Sequence, residues 1–360
     1  MTQTTKHDLS TVQKESSHMG PKYELTDEVN ADGLYRIRAL RDIPLYRVKA
    51  GDLGGWLASG ANLSQTGECW VFCNAQVFGN SQVFGNAQVF GNSRVFGNSQ
   101  VFGDAQVFSD SRVFGNSQVS GDSQVFGDAR VSGNSLVFGN SLVSGSALVS
   151  GDSQVSGSAQ VSGNSQVSGS ARVSGDARVS GSALVFGSAL VSGDSRVFGS
   201  AQVSGNSRVS GNSLVSGSAL VFGDSLVFGD SRVFGDSRVF GSARVFGNSR
   251  VFGNSQVFGD AQVFGSARVF GDSHSFEIAG RITPNAQGAH MFRLKGGGHH
   301  LSVGCWEGTA EELSELADSE DWPSGGGADY RAKWAPSLRA LAAYVQAVVA
   351  TWDPAEGDEA

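Results

Sequence analysis

Six histidines are the chain's candidates for acid–base or metal chemistry: His7, His18, His274, His290, His299 and His300. An imidazole titrates near neutrality, so it can take a proton from a hydroxyl or hold a metal through a neutral nitrogen. The densest group is Gly296-Gly297-Gly298-His299-His300, with His290 shortly before it. No carboxylate or cysteine pattern accompanies it at zinc-ligand spacing. No strand–loop–helix context makes Gly296–Gly298 a phosphate loop either. A turn running into a strand accounts for the stretch, leaving His290, His299 and His300 as the only metal candidates. Cys69 and Cys73 lie four residues apart and match half a metal site, but no second Cys/His pair completes it. They read as ordinary small residues, and the three cysteines of the chain make no disulfide framework.

What must position these residues is a long block that carries none of them. From Val71 to Val269 a valine falls on every sixth residue, 34 in all, and no histidine, lysine, glutamate or threonine interrupts them. Each hexad reads Val, Phe or Ser, Gly, then Asn, Asp or Ser, then Ser or Ala, then Gln, Arg or Leu. Trp70 takes the last position before the first valine, and the glycine is lost only at Cys73 and Ser109. A fixed period over this length predicts a solenoid in which each repeat packs only on its neighbours.

One hexad holds a strand piece and a turn piece. In Ala87-Gln88-Val89-Phe90, alternation puts Ala87 and Val89 on one face and Gln88 and Phe90 on the other. Gly91-Asn92 supplies a turn, since both residue types tolerate positive φ. The Ser/Ala-plus-valine face points inward: the small residue fits a corner and valine fills the middle. Burying one valine gains about 1.5–3 kcal/mol, while ordering six residues costs about 1–2 kcal/mol each. A lone hexad therefore cannot fold, and backbone ladders to neighbouring coils must supply the rest. Three hexads per coil give a triangular prism; two per coil give a flattened two-sheet solenoid.

The period and composition of residues 71–274 resemble the hexapeptide-repeat superfamily, which implies a single-stranded, left-handed parallel β-helix with three hexads per coil. The chain departs from many of those enzymes in placing glycine two residues after the aliphatic position rather than one. A second resemblance covers residues 35–270. Arg38-Ala39-Leu40-Arg41-Asp42, Gly51-Asp52-Leu53-Gly54-Gly55-Trp56, Asn62-Leu63-Ser64 and Cys69-Trp70-Val71 look like the amino-terminal cap of bacterial and phage hexapeptide-repeat proteins often labelled transferases. The superfamily's best known members are acyltransferases that use a histidine on or near the helix, and a carbonic-anhydrase branch needs three histidines on metal. The repeat block has neither, and no inserted loop forms an acceptor pocket. Ice-binding solenoids need ranks of threonine, which are also missing. No catalytic residue and no cofactor is assigned. The reading is a non-catalytic structural or interaction rod, phage or prophage encoded by resemblance. The alternative is a divergent acyltransferase with an acyl-coenzyme A donor and a site between subunits.

The outward positions vary. The residue after valine is Phe in 21 hexads and Ser in 13, with Phe unbroken from Phe72 to Phe114 and from Phe222 to Phe270. Side chains three hexads apart would stack, so Phe72, Phe90 and Phe108, and likewise Phe222, Phe240 and Phe258, form apolar columns offered for self-association into a homo-oligomer. Leu136, Leu142 and Leu148 would girdle one coil. Arg94, Arg112 and Arg130 would share a column, with Asp110 and Asp128 damping their repulsion.

The flanks complete the expectation: a mainly-β chain with a small α+β carboxy-terminal module. Residues 1–22 read as a disordered polar tail, 23–70 as a cap with irregular first coils, 71–274 as the repeat, 275–353 as the module and 354–360 as an acidic tail. Large side chains in the cap would plug the open end of the prism. Tyr35–Arg41 alternates as a strand; Phe276–Arg281, His290–Lys295 and His300–Gly304 read as short strands. Thr309-Ala310-Glu311-Glu312 is a capping box, and Pro336–Trp352 carries a helical apolar stripe through Leu338, Leu341, Ala342, Val345, Val348, Val349 and Trp352. The module is where an unidentified protein partner would bind. The net charge of −8 falls mostly after residue 274, where 13 acidic residues meet 6 basic ones. That balance argues against a nucleic-acid partner. No apolar run is long enough to span a membrane, and Met1–Gly20 lacks the apolar core of a secretory signal. A reducing, cytoplasmic setting follows.

Overall fold

A computed structural model describes residues 20–259, 261–265, 268–269, 274–278, 289–293, 298–303, 306–319 and 327–350. The chain forms two compact units, Met1–Asp128 and Ala129–Ala360. Each contains a parallel β-solenoid. Its coils repeat every 18 residues, the step from Asn86 to Asp104 in one unit and from Asn134 to Asp152 in the other, so three hexads make one coil.

In the first unit the rungs are two residues long, and each lies over the rung one coil earlier. Gln76↔Arg94↔Arg112 runs down one face, Gln82↔Gln100↔Gln118 down the second, and Trp70↔Gln88↔Gln106↔Gln124 down the third. The three faces exclude the flattened two-sheet alternative. Burial alternates as the hexad dictates. Ala87 and Val89 are fully buried, while Gln88 and Phe90 are half-exposed. The corner serines are buried too, and they are satisfied there. Ser93 Oγ donates to Phe90 O at 2.8 Å in its own turn and to Val107 O at 3.3 Å in the next coil. Backbone ladders join the coils at three points per hexad, as in Gln88 N→Ala105 O, Phe90 N→Val107 O and Asn92 N→Ser109 O at 2.8–2.9 Å.

The turn residue after Phe or Ser holds φ near +70°, as at Gly85 (71°) and Gly91 (73°). The lost glycines do not relax that demand. Cys73 keeps φ 51° and Ser109 φ 62°, where an L-residue costs about 1–2 kcal/mol. The coil imposes the conformation and the sequence conforms to it.

The cap is a sheet continuous with one solenoid face. Strand Tyr23–Val29 pairs antiparallel with Tyr35–Ala39, which pairs with Leu53–Leu57, whose Trp56 and Leu57 pair parallel with Gln76 and Val77. Tyr23–Val29 has no counterpart among the strands expected from sequence, because Thr26, Asp27 and Glu28 hide its short apolar signal. The first coil is irregular and slightly longer than the rest: Leu63 bridges Val83, whereas Val71 already pairs with Val89 in the regular register. Ile37, Leu57 and Leu63 are buried at the open end of the prism, and Trp70, at an outward position, is buried edge-on to Tyr23 of the cap at 6.3 Å. Asn62 serves the free carbonyls there, its Nδ2 donating to Gly79 O and Ser81 O at 2.9 Å. The polar tail expected to run through Lys22 ends before that residue. Lys22 is fully buried and donates to Cys69 O at 2.9 Å, because carbonyls at the solenoid's end need donors that water cannot supply. Residues 1–19 lie outside the described residues.

In the second unit the same three-faced coil is built from rungs such as Arg130–Val131, Leu136–Val137 and Leu142–Val143. Leu136, Leu142 and Leu148 fall one on each face, girdling a coil. The repeat extends one rung further than its sequence pattern, since His274 and Ser275 pair parallel with Gln256 and Val257. That strand, His274–Ile278, then pairs antiparallel with Ala289–Arg293, followed by His299–Val303 and Trp306–Gly308. Helix α1 (Ala310–Asp318) opens with the expected capping box, Thr309 accepting from Glu312 N and Glu312 accepting from Thr309 N. Helix α2 spans Gly327–Val349. It begins well before the expected start at Pro336, which sits inside the helix rather than at its first turn. Ala328–Ala335 are mostly helix formers, and the helix carries through the proline's cost, a missing N–H and a ring set against the carbonyl one turn back. Met291, Leu301, Leu313, Leu338, Leu341 and Val345 form the module's core. The stripe residue Trp352 and the acidic tail 354–360 lie outside the described residues.

Candidate functional surface

The sixfold repeat leaves three outward positions per hexad. Stacking every 18 residues turns each position into a column, as the contact of Asn80 with Asn98 illustrates. The columns are features the sequence can vary without touching the core.

The phenylalanine columns are the most ordered. In the first unit Phe72 meets Phe90 edge-on at 6.4 Å, and Phe90, Phe108 and Phe126 then stack face to face at 4.7–4.9 Å. Phe78, Phe96 and Phe114 form a second column and Phe84 and Phe102 a third, with interplanar angles of 1–3°. In the second unit Phe222–Phe240–Phe258 stack at 5.0 and 5.4 Å, beside the columns Phe228–Phe246–Phe264 and Phe234–Phe252. Each ring covers its neighbour's face, so ring edges meet solvent and most of the rings are half-buried. Phe138, Phe186 and Phe198 have serine at the stacking position in both adjoining coils, and they are more exposed, at 37–38%. The cap closes one column: Tyr46 stands edge-on to Phe72 at 6.1 Å. Nothing in the spacing announces this, because Tyr46 lies outside the repeat.

Asparagine ladders run along the turns. Asn86 Nδ2 donates to Asp104 Oδ1 and Asn92 Nδ2 to Asp110 Oδ1, both at 3.0 Å. The second unit repeats the pattern with Asn134–Asp152, Asn206–Asp224 and Asn212–Asp230 at 2.8–2.9 Å. The legible signal is an Asn one full coil ahead of an Asp. The ladder also revises the expected charge column. Arg94 and Arg112 do stack in register. However, Asp110 takes its hydrogen bond from Asn92, and Arg94 faces Asp32 of the cap at 4.0 Å.

On one face of the second unit lies an open groove of about 670 Å³, lined by Asp176, Arg178, Asp194, Arg196, Leu214 and Arg232 among others. It is a trough between a column of turn residues and a column of strand residues, with both signs of charge.

Of the candidate histidines, His299 and His300 have described side chains. His299 is buried, and its Nε2 accepts from Ala310 N at 2.7 Å, at the start of α1. That bond satisfies one of the free N–H groups at the helix start, so His299 acts as an end-cap for the helix. His300 is adjacent and hence on the opposite side of the strand, with Nε2 3.9 Å from Glu307. His290 pairs with Ser302 in the neighbouring strand. Among the described residues no group of three His, Cys, Asp or Glu side chains is placed to hold a metal. No described helix is long and apolar enough to cross a membrane.

The family model of the YdcK β-solenoid repeat matches residues 171–187 and 201–217, two stretches within the second unit's solenoid. No curated protein matches the chain. The coil geometry and this match together define the class: a β-solenoid repeat protein.

Proposed function

We propose that the protein is a non-catalytic structural rod of the hexapeptide-repeat superfamily, wound left-handed, that associates with copies of itself through its phenylalanine columns. The observation that carries this reading is the alignment of the rings. Stacks such as Phe78–Phe96–Phe114 and Phe222–Phe240–Phe258 present continuous aromatic edges, one in each unit. A soluble chain seldom leaves such strips uncovered. The residues offered for contact are Phe72, Phe90 and Phe108 and, in the second unit, Phe222, Phe240 and Phe258. The carboxy-terminal module, with its own core and helices, serves as the site for a protein partner. The phage or prophage origin and the cytoplasmic setting rest on resemblance and composition.

The competing reading is an acyltransferase with an acyl-coenzyme A donor. It rests on the superfamily resemblance, and the trough at Asp176–Arg232 has no histidine among its lining residues. Equilibrium binding of coenzyme A, together with acetyl transfer to sugars and amines, separates the two. The structural reading expects neither. Acetylation that is lost on mutating a repeat residue would overturn it.

A further inference from the structure

We propose that Lys22 and Cys69 form an oxidative cross-link, a sulfenamide from Nζ to Sγ that ties the first strand of the cap to the first coil. Both side chains are fully buried. Nζ stands 3.1 Å from Sγ, and its hydrogen bonds to Cys69 O at 2.9 Å and to Thr66 O at 3.5 Å hold it there. The sulfur is confined in turn, 3.5 Å from Val83 O. Among the described residues no carboxylate lies within 4.0 Å of Nζ to hold it as an ammonium in an ion pair. Burial pushes the Lys22 amine below its ordinary range, which favours the form with a free lone pair. A polar plug needs a donor for the carbonyls; it does not need a sulfur beside that donor. Ser or Ala fills the equivalent corner in every later coil.

The chemistry balances with hydrogen peroxide as the co-reactant. The peroxide transfers one oxygen to the Cys69 thiol, giving the sulfenic acid and one water; sulfur loses the two electrons that break the O–O bond. The Nζ lone pair then attacks Sγ. The S–O bond breaks, and hydroxide leaves with an amine proton as a second water. Sulfenic acids close onto backbone nitrogen in the same way, and here the lysine amine takes that role. Two molecules of a small thiol reverse the link, restoring thiol and amine and leaving as their disulfide. The closed loop joins residues 47 apart and restricts the unfolded chain.

The test uses the full chain with Cys73→Gly and Cys305→Ser, so that Cys69 is the one remaining thiol. The folded protein is treated with hydrogen peroxide, digested without reductant and examined by mass spectrometry. The expected result is a peptide joining Lys22 to Cys69, lighter by two hydrogens than its parts, resistant to trypsin at Lys22 and cleaved by dithiothreitol. The melting midpoint should rise by a few degrees on oxidation and fall back on reduction. Lys22→Met should abolish the linked peptide and let Cys69 proceed to sulfinic acid. If the wild-type pair yields Cys69 as free thiol or sulfinic acid with Lys22 unlinked in protein that is still folded, the proposal is overturned. The wild-type measurement decides this even if Lys22→Met does not fold.

Discussion

The amide nitrogen of Ser109 lies so close over Gly91 that a Cβ built on Gly91 would come within 2.9 Å of it. The glycine turns are therefore constrained twice, by their positive φ and by the backbone of the coil above. Ser109 itself meets the first constraint poorly: it carries a Cβ, at φ 62°. Asp110 N, in the same turn, reaches Gly127 O at 3.1 Å, against 2.8 Å for Asn92 N to Ser109 O.

Ser109→Gly should accordingly stabilise the first unit by about 1 kcal/mol. Gly91→Ala, which meets both constraints, should destabilise it by more than that. Urea unfolding followed by circular dichroism measures both. A serine-to-glycine change that lowers the midpoint would show that the turn does not impose its conformation.

Val167 and Ser168 are neighbours on opposite faces, Val167 fully buried and Ser168 half-exposed. Val167→Asp puts a charge with no partner inside the prism, at several kcal/mol. Ser168→Ala should stay within about 0.5 kcal/mol of the parent. Equal melting of the two variants would reverse the assignment of inside and outside.

The cap should respond to alkali in two opposed ways. Tyr23 is buried, its hydroxyl donates to Gly60 O and Leu63 O, and burial pushes it up to about 12. Its folded value exceeds the unfolded one, so stability is lost as pH rises from about 10 to 12. Lys22 is shifted downward by burial; the unfolded chain binds that proton more tightly, so stability rises with pH up to the ordinary lysine range near 10.5. Cap stability should thus peak near pH 10. In Tyr23→Phe the alkaline fall should shrink by up to about 2 kcal/mol, read from urea midpoints across the alkaline range. An unchanged fall would place the titrating group elsewhere.

Much of this molecule is legible in its sequence because the repeat makes every coil a statement about its neighbours. Valine spacing and the small-residue alternation determine which side chains point inward, and the coil length follows once three hexads close on themselves. The capping box at Thr309–Glu312 is readable because it is local. What escapes reading is held by contacts distant in sequence. Lys22 sits in a polar tail by composition and becomes buried only because Cys69 and Thr66 come to it. Tyr46 reaches Phe72 through a cap whose coil departs from the regular length. His299 reads as a ligand candidate, and it becomes a helix cap because α1 places Ala310 N against it. Pro336 looks like the start of a helix because the turns before it carry little apolar signal.

Whether the aromatic columns are binding surfaces or self-satisfied stacks is tested most directly by sedimentation equilibrium of the purified chain from low to high micromolar concentration. The wild type should associate, and Phe72→Ser combined with Phe90→Ser and Phe108→Ser should shift the equilibrium towards monomer while leaving the circular dichroism spectrum unchanged. A wild-type chain that remains monomeric at high micromolar concentration would contradict the account, as would association that the triple substitution and its counterpart at Phe222, Phe240 and Phe258 both leave untouched.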